Sequence, residues 1–226
     1  MNGRLARVAM VSGAALVYAS AGCAQQPPVT PSRPATTPAT PAVASADTNG
    51  AGLIPAGYGK LRQESIAIEL RPSDVIVRAT PLDESVIRTL APDSYRALRE
   101  LAESRRPTIA RLASQHGLLR GNLWYVSFYG LAADAKFSPM ELTITSGGHE
   151  FRPVEVIPLQ AGFGEQRLQA RETQSALYLF EDALDVNQPL VVTLGSERNT
   201  SWSVRLSAIE QERALIRSRS QVRPSP

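Results

Sequence analysis

The sequence predicts a mainly β protein, an antiparallel β-sandwich that carries a helical insertion and ends in a helix. Three observations predict this class. About eight short segments alternate apolar and polar residues, with turn-forming residues between them. Helical periodicity replaces this alternation in one block, residues 82–119, and again near the carboxyl end. The strands do not alternate with helices as a parallel sheet requires, so antiparallel pairing is expected.

Most strands are predicted from period-two patterns beside turn residues. Residues 65–70 and 74–79 flank a proline-containing turn, which predicts a first hairpin. Residues 141–145 and 151–157 flank a Gly-Gly turn, which predicts a second hairpin. Branched and aromatic residues favour strands in the remaining segments. These are residues 122–129, 173–180, 190–194 and 201–206.

Two or three helices are predicted inside the block 82–119, and two of them begin near Pro92 and Pro107, which each stand where the first turn of a helix tolerates proline. Gly117 is predicted to end the second helix. A terminal helix is predicted over residues 207–219. The residues expected on the inward faces of these helices are Tyr95, Leu98, Leu101, Ala102, Ile109, Leu112, Ala113, His116, Ile209, Leu215 and Ile216.

The pattern of short strands over residues 58–206 is similar to that of immunoglobulin-like sandwich domains of bacterial envelope proteins. The resemblance rests on the pattern alone, because the Cys…Trp…Cys signature of true immunoglobulin domains is absent from the sequence. It implies that the loops cluster at the ends of the sandwich, where such domains carry recognition. We therefore expect one sandwich domain over residues 58–226.

The first 22 residues are predicted to be an export signal. Arg4 and Arg7 precede an apolar run, residues 8–19, which is too short to span a bilayer, and small residues follow it. Cleavage after Ala21 would give a soluble secreted protein. Alternatively, Ala21-Gly22-Cys23 resembles the end of the signal in bacterial lipoprotein precursors. That resemblance implies acylation of Cys23, and the absence of any other cysteine with which it could pair favours this interpretation.

Residues 23–57 are predicted to be a disordered tether. They are rich in Pro, Ala and Thr, contain no aromatic residue, and carry only Arg33 and Asp47 as charges. Such a segment reaches from roughly 30 Å as a coil to about 100 Å when extended. In lipoproteins of bacteria with two membranes, an acidic residue after the cysteine often marks retention at the inner membrane. Ala24-Gln25 lacks this mark, so the lipoprotein resemblance implies outer-membrane sorting in such a host.

The charge balance gives no indication of nucleic-acid binding. The net charge of +3 falls to +1 when Arg4 and Arg7 leave with the signal. We expect an exported and nearly neutral protein to attach to the membrane through its lipid and to bind an envelope protein or glycan through its domain. No cofactor is expected.

The catalytic and metal-binding patterns in the sequence are weak. His116 follows an apolar stripe at a predicted helix end, where a structural role is expected. His149-Glu150 lies at the Gly-Gly turn and lacks the second histidine of a zinc motif, so no metal site is predicted. A triad of Ser146, His149 and Asp134 would need assembly in space, which the sequence does not indicate.

The candidate binding residues are Tyr125, Tyr129, Arg167 and Arg171. The two tyrosines share one face of a predicted strand, on either side of Ser127, and form either an exposed strip or a surface packed under the helices. The two arginines border a long predicted loop, residues 161–173. We expect a tethered, non-enzymatic binding or accessory module. The alternative is an envelope hydrolase or metal-handling protein that uses His149 and nearby carboxylates.

Overall fold

A computed structural model describes residues 53–222, and these form eleven strands and four α-helices. The prediction of a mainly β protein with a terminal helix is confirmed. The helices are α1 (Glu84–Ile87), α2 (Pro92–Ser104), α3 (Arg106–Gln115) and α4 (Trp202–Val222). The strands are β1 (Ile68–Leu70), β2 (Val75–Pro81), β3 (Asn122–Gly130), β4 (Ala135–Lys136), β5 (Leu142–Ser146), β6 (His149–Phe151), β7 (Glu155–Pro158), β8 (Arg167–Leu168), β9 (Thr173–Phe180), β10 (Leu190–Leu194) and β11 (Glu197–Asn199).

Two open antiparallel sheets form a sandwich-like arrangement. The first sheet has the strand order β1-β2-β3-β9-β7, and the second has the order β11-β10-β5-β6. A separate two-stranded ribbon joins β4 to β8. Both sheets contribute to one apolar core, in which Trp124 and Phe128 of β3 lie with Ile144 and Val192 of the second sheet. All four of these side chains are fully buried.

The predicted helical insertion is confirmed as α1, α2 and α3, which lie between β2 and β3. Pro92 opens α2 and Pro107 lies in the first turn of α3, as predicted. Gly117 follows the end of α3 with a φ of 69°, and the Leu118 N–H donates to the Ala113 carbonyl at 2.8 Å. This bond closes the helix in a Schellman turn.

His116 does not face the core as predicted. It is exposed, because it lies beyond the last full turn of α3, and its Nε2 lies 3.3 Å from the Glu155 carboxylate of β7. The structural role predicted for His116 fits this contact, which joins the end of α3 to an edge strand of the first sheet.

Two strand predictions were wrong, and each has a physical reason. Residues 151–157 do not form one strand. Pro153 lacks the N–H that a continuous ladder needs, and the chain passes from β6 in the second sheet to β7 in the first. Residues 201–206 are not a strand, because α4 begins at Trp202. Trp202 is fully buried, and its indole N–H donates to the Val186 carbonyl at 2.9 Å.

The terminal helix therefore starts five residues earlier than predicted. Its buried apolar residues, Trp202, Ile209 and Ile216, are seven residues apart, which places them on one face. Leu215 was wrongly predicted to face inward and is 51% exposed. No helix among residues 53–222 has the length and apolar character needed to cross a bilayer.

Helix α4 also holds the segment with which the described residues begin. The buried Glu212 carboxylate accepts hydrogen bonds from the Lys60 backbone N–H at 2.9 Å and from the Arg219 guanidinium at 2.6 Å. Arg219 also donates to the Tyr58 carbonyl at 2.9 Å. The start of the domain is thus fastened to its last helix.

Candidate binding surface on the outer face of the first sheet

The outer face of the first sheet divides into a covered end and an open end. Tyr125, Ser127 and Tyr129 alternate along β3 with the buried Trp124, Val126 and Phe128, so the predicted division of the aromatic residues between two faces is confirmed. At the covered end, Tyr125 pairs with Thr80 on β2 and Leu177 on β9, and both of these are buried. Tyr125 itself packs against the apolar core.

The open end contains a shallow concavity of about 170 Å³, which we call the outer-face concavity. Backbone pairing places its lining residues in two adjacent rows. Tyr129 of β3 stands between Ile76 of β2 and Thr173 of β9, and Ser127 stands opposite Arg78. Five residues line it, namely Ile76, Arg78, Ser127, Tyr129 and Thr173.

Arg78 is held beside the concavity by Glu69 of β1. The Arg78 Nε donates to one oxygen of the Glu69 carboxylate at 3.0 Å, and the Arg71 Nε donates to the other at 2.8 Å. The pKa of the Glu69 carboxyl is lowered. The hydrogen bond from Arg71 is the largest cause, the hydrogen bond from Arg78 lowers the pKa further, and burial acts in the opposite direction. Glu69 therefore stays ionised and orients the guanidinium of Arg78.

The hydroxyl groups in the concavity make no hydrogen bond within the part of the chain that the structure describes. Within residues 53–222, the Ser127, Tyr129 and Thr173 hydroxyls make no hydrogen bond to another protein group. The adjacent Ser175, by contrast, is buried and hydrogen-bonds the Gln160 side chain. Three hydroxyls and the ends of one guanidinium are thus available together on one face of the sheet.

The structure separates the predicted binding residues. Tyr129 lines the concavity, and Arg171 lies near it, because the Arg171 N–H donates to the carbonyl of Gly130 at 2.8 Å. Tyr125 lies at the covered end instead. Arg167 belongs to the β4–β8 ribbon, where its guanidinium pairs with Asp134 at 2.8 Å. The predicted loop 161–173 contains a 3₁₀ turn and β8 rather than one long irregular connection.

The sequence did not single out Arg78, Ile76 or Thr173 as candidate residues. Their position follows from pairing across strands that are far apart in the chain, and only the β1–β2 hairpin was visible locally. Ser127 was noted only as the residue between the two tyrosines. A register prediction for β2 against β3 would have found Arg78 opposite Ser127.

A larger cleft of about 600 Å³ lies where the β5–β6 hairpin meets the connection between β9 and β10. His149 and Ser146 stand opposite each other at the hairpin end. Both line the cleft, together with the carboxylate residues Glu150, Glu181 and Asp185. The remaining lining residues are Gly147, Phe151, Ala183, Gln188 and Pro189.

Three of the six polar side chains that line the cleft already have a partner, namely Ser146, Glu150 and Asp185. The Ser146 hydroxyl donates to the Pro189 carbonyl at 3.3 Å, and Glu150 accepts from Arg152 at 3.1 Å. Asp185 accepts from the Asn187 N–H at 2.8 Å. Asp134, the third member of the triad considered above, pairs with Arg167 and does not line the cleft. Within residues 53–222, no group of three or more His, Cys, Asp or Glu side chains is arranged to hold a metal ion.

Asp182 lies at the start of the β9–β10 connection, which borders this cleft, and hydrogen-bonds the turn after α3. Its carboxylate accepts three backbone N–H bonds from the turn after α3, from Leu119 at 2.7 Å, Arg120 at 3.1 Å and Gly121 at 2.7 Å. Burial alone would raise the pKa of Asp182, but these three bonds outweigh it and the pKa is lowered. The bonds join the start of the β9–β10 connection to the turn after α3.

Cys23, the export signal and most of the predicted tether lie outside the described residues, so the structure does not bear on them. Comparison of the chain with protein-family models, curated protein sequences and solved structures gives no significant match.

Proposed function

We propose that this protein is an exported lipoprotein whose sandwich domain binds an envelope component through the outer-face concavity. Acylation at Cys23 would attach it to a membrane, and residues 23–57 would hold the domain away from that surface. The sequence after Cys23 supports the outer membrane as its location. We further infer an immunoglobulin-like architecture, which the two antiparallel sheets support.

One observation carries the binding proposal. The concavity gathers three hydroxyls that make no hydrogen bond within residues 53–222 and a guanidinium oriented by Glu69. Polar side chains on a sheet face normally bond to neighbours or to water, and their convergence around a concave surface is typical of a ligand site. Tyr129 adds a half-buried aromatic ring to the same surface.

Site-specific photocrosslinking in cells tests the binding proposal. A photoreactive phenylalanine at Tyr129 is expected to capture a partner, whereas the same group at the exposed Gln211 of α4 serves as the control. Capture from Gln211 alone, or from neither position, would refute the proposal.

Metabolic labelling with an alkynyl fatty acid tests the membrane attachment separately. Labelling should occur in the wild-type protein and be lost in the variant Cys23→Ser. Equal labelling of the two proteins, or labelling of neither, would contradict acylation at Cys23.

A hydrolase that uses the His149 cleft is the second candidate function. The observation that favours it is the meeting of His149 with three carboxylate residues in one cleft, where general acid–base work is chemically accessible. The test is hydrolysis of isolated cell-wall material by the purified protein and by the variants His149→Ala and Glu181→Gln. Activity that disappears in both variants, with unchanged folding, would favour this candidate over the binding module.

A further inference from the structure

We propose that the ligand of the outer-face concavity is a carboxylate-bearing sugar residue of an acidic glycan. This inference rests on the proposed binding function and names the chemistry of its ligand.

The charge of the concavity favours an anion. Arg78 is the only charged residue among the five that line it. Glu69 is shared between Arg78 and Arg71, so these three residues together carry one surplus positive charge. The Arg78 Nε is occupied by Glu69, and its two terminal nitrogens remain for a ligand. Paired guanidinium nitrogens match the two oxygens of a carboxylate.

The remaining lining groups favour a sugar. The hydroxyls of Ser127, Tyr129 and Thr173 both donate and accept hydrogen bonds, as the hydroxyls of a sugar ring require. Ile76 and the ring of Tyr129 offer apolar surface for the C–H face of that ring. A volume of about 170 Å³ suits one ring of a longer chain that continues across the surface.

The position of the concavity argues against an extended peptide. Peptides that add to a sheet need a strand with unpaired backbone groups at its edge. Here β2 is paired on both sides by β1 and β3, and β3 is paired on both sides by β2 and β9. The concavity lies on the face of these inner strands, so only side chains are available for recognition.

The test is a nuclear magnetic resonance titration of the purified full-length protein with three probes. Tetragalacturonate carries the proposed chemistry, its fully methyl-esterified form removes the charge, and a tetraglutamate peptide keeps the charge without the sugar. Because the site is small and shallow, we expect a dissociation constant of about 1 mM for tetragalacturonate. The shifted resonances should be those of residues 76, 78, 127, 129 and 173.

Variants of Arg78 give the decisive comparison. Arg78→Gln should weaken tetragalacturonate binding by about tenfold or more, since it removes a charge-assisted hydrogen bond. Arg78→Lys should recover part of the affinity, because it keeps the charge but loses the two-pronged geometry. Arg152→Gln is the matched control. Arg152 is also exposed and also pairs with a glutamate, Glu150, but it follows β6 of the other sheet and does not line the concavity.

Each outcome decides a different point. Equal binding of the ester would overturn recognition of a carboxylate, and equal or tighter binding of tetraglutamate would overturn the choice of a glycan. If no probe binds while photocrosslinking from Tyr129 captures a partner, the acidic sugar is wrong and the binding function stands. If neither experiment shows a ligand, both proposals fail.

Discussion

Replacement of Asp182 by asparagine should destabilise the domain in a way that depends on pH. The carboxylate of Asp182 ties the beginning of the β9–β10 connection to the turn after α3 through three backbone N–H groups. Asparagine keeps the shape of the side chain. It loses the negative charge, however, and presents an NH₂ group to donors that need an acceptor.

The magnitude follows from the three hydrogen bonds. A net contribution of about 0.5–1.5 kcal/mol is typical for each such bond. Because Asp182 is exposed to solvent, the lower part of that range applies, and asparagine retains one acceptor oxygen. We expect Asp182→Asn to lower the free energy of unfolding by about 1.5 kcal/mol at neutral pH.

The pH dependence has a definite sign. The pKa of Asp182 is lowered in the folded protein from its ordinary value of 3.8. A lowered folded pKa means that the ionised carboxylate stabilises the fold above its unfolded pKa, and this contribution is lost as the pH falls through the folded pKa. The difference between wild type and variant should therefore be constant above about pH 5 and shrink below about pH 4.

Urea unfolding followed by circular dichroism at several pH values measures this difference. Glu181→Gln is the control, because it removes the same charge one residue away. Within residues 53–222, the Glu181 carboxylate makes no hydrogen bond to another protein group. An equal loss in both variants, or a loss from Asp182→Asn that persists unchanged in acid, would refute the role assigned to the three N–H bonds.

Three further substitutions test the packing. Glu212→Ala should lower the free energy of unfolding, measured by chemical denaturation, by about 3 kcal/mol, because it leaves the Arg219 guanidinium without its buried partner. A decrease below about 1 kcal/mol would contradict this. Gly130→Ala should lower the free energy of unfolding by about 2 kcal/mol and shift the resonances of β8, because the added Cβ would lie 2.4 Å from a backbone oxygen. In the control Gly164→Ala, the added Cβ meets nothing within 4 Å, so the stability should not change. Trp202→Ala should lower the free energy of unfolding, measured by thermal denaturation, by about 4 kcal/mol, because the side chain is fully buried. A decrease as small as that for an exposed residue would place Trp202 outside the core.

Local sequence patterns predicted those elements whose partners lie nearby in the chain. The β1–β2 hairpin and the β5–β6 hairpin each form at the predicted turn residues, although the second arm of the β5–β6 hairpin is residues 149–151 rather than the predicted 151–157. The first turns of α2 and α3 followed from Pro92 and Pro107 in the same way. These features depend on backbone preferences within a few residues, which the sequence displays directly.

The error at residues 201–206 shows where such reasoning ends. Trp202, Val204 and Leu206 alternate with polar residues and satisfy a strand pattern over this short window. The longer repeat of Trp202, Ile209 and Ile216 is the one that the fold uses, because it buries one face of α4. A window extended to residue 216 would have favoured the helix. A short apolar run does not distinguish the two structures.

Tyr125 and Tyr129 lie on the same strand and the same face, yet only Tyr129 lines an open surface. The period of the strand determines the face that a side chain joins. What covers that face depends on where distant elements pack, and here Tyr125 lies between the buried Thr80 and Leu177 while Tyr129 lies between Ile76 and Thr173. The candidate site is therefore a property of the packing of the whole domain. Substitutions that shift this packing should alter ligand binding at Tyr129 without touching any residue of the concavity.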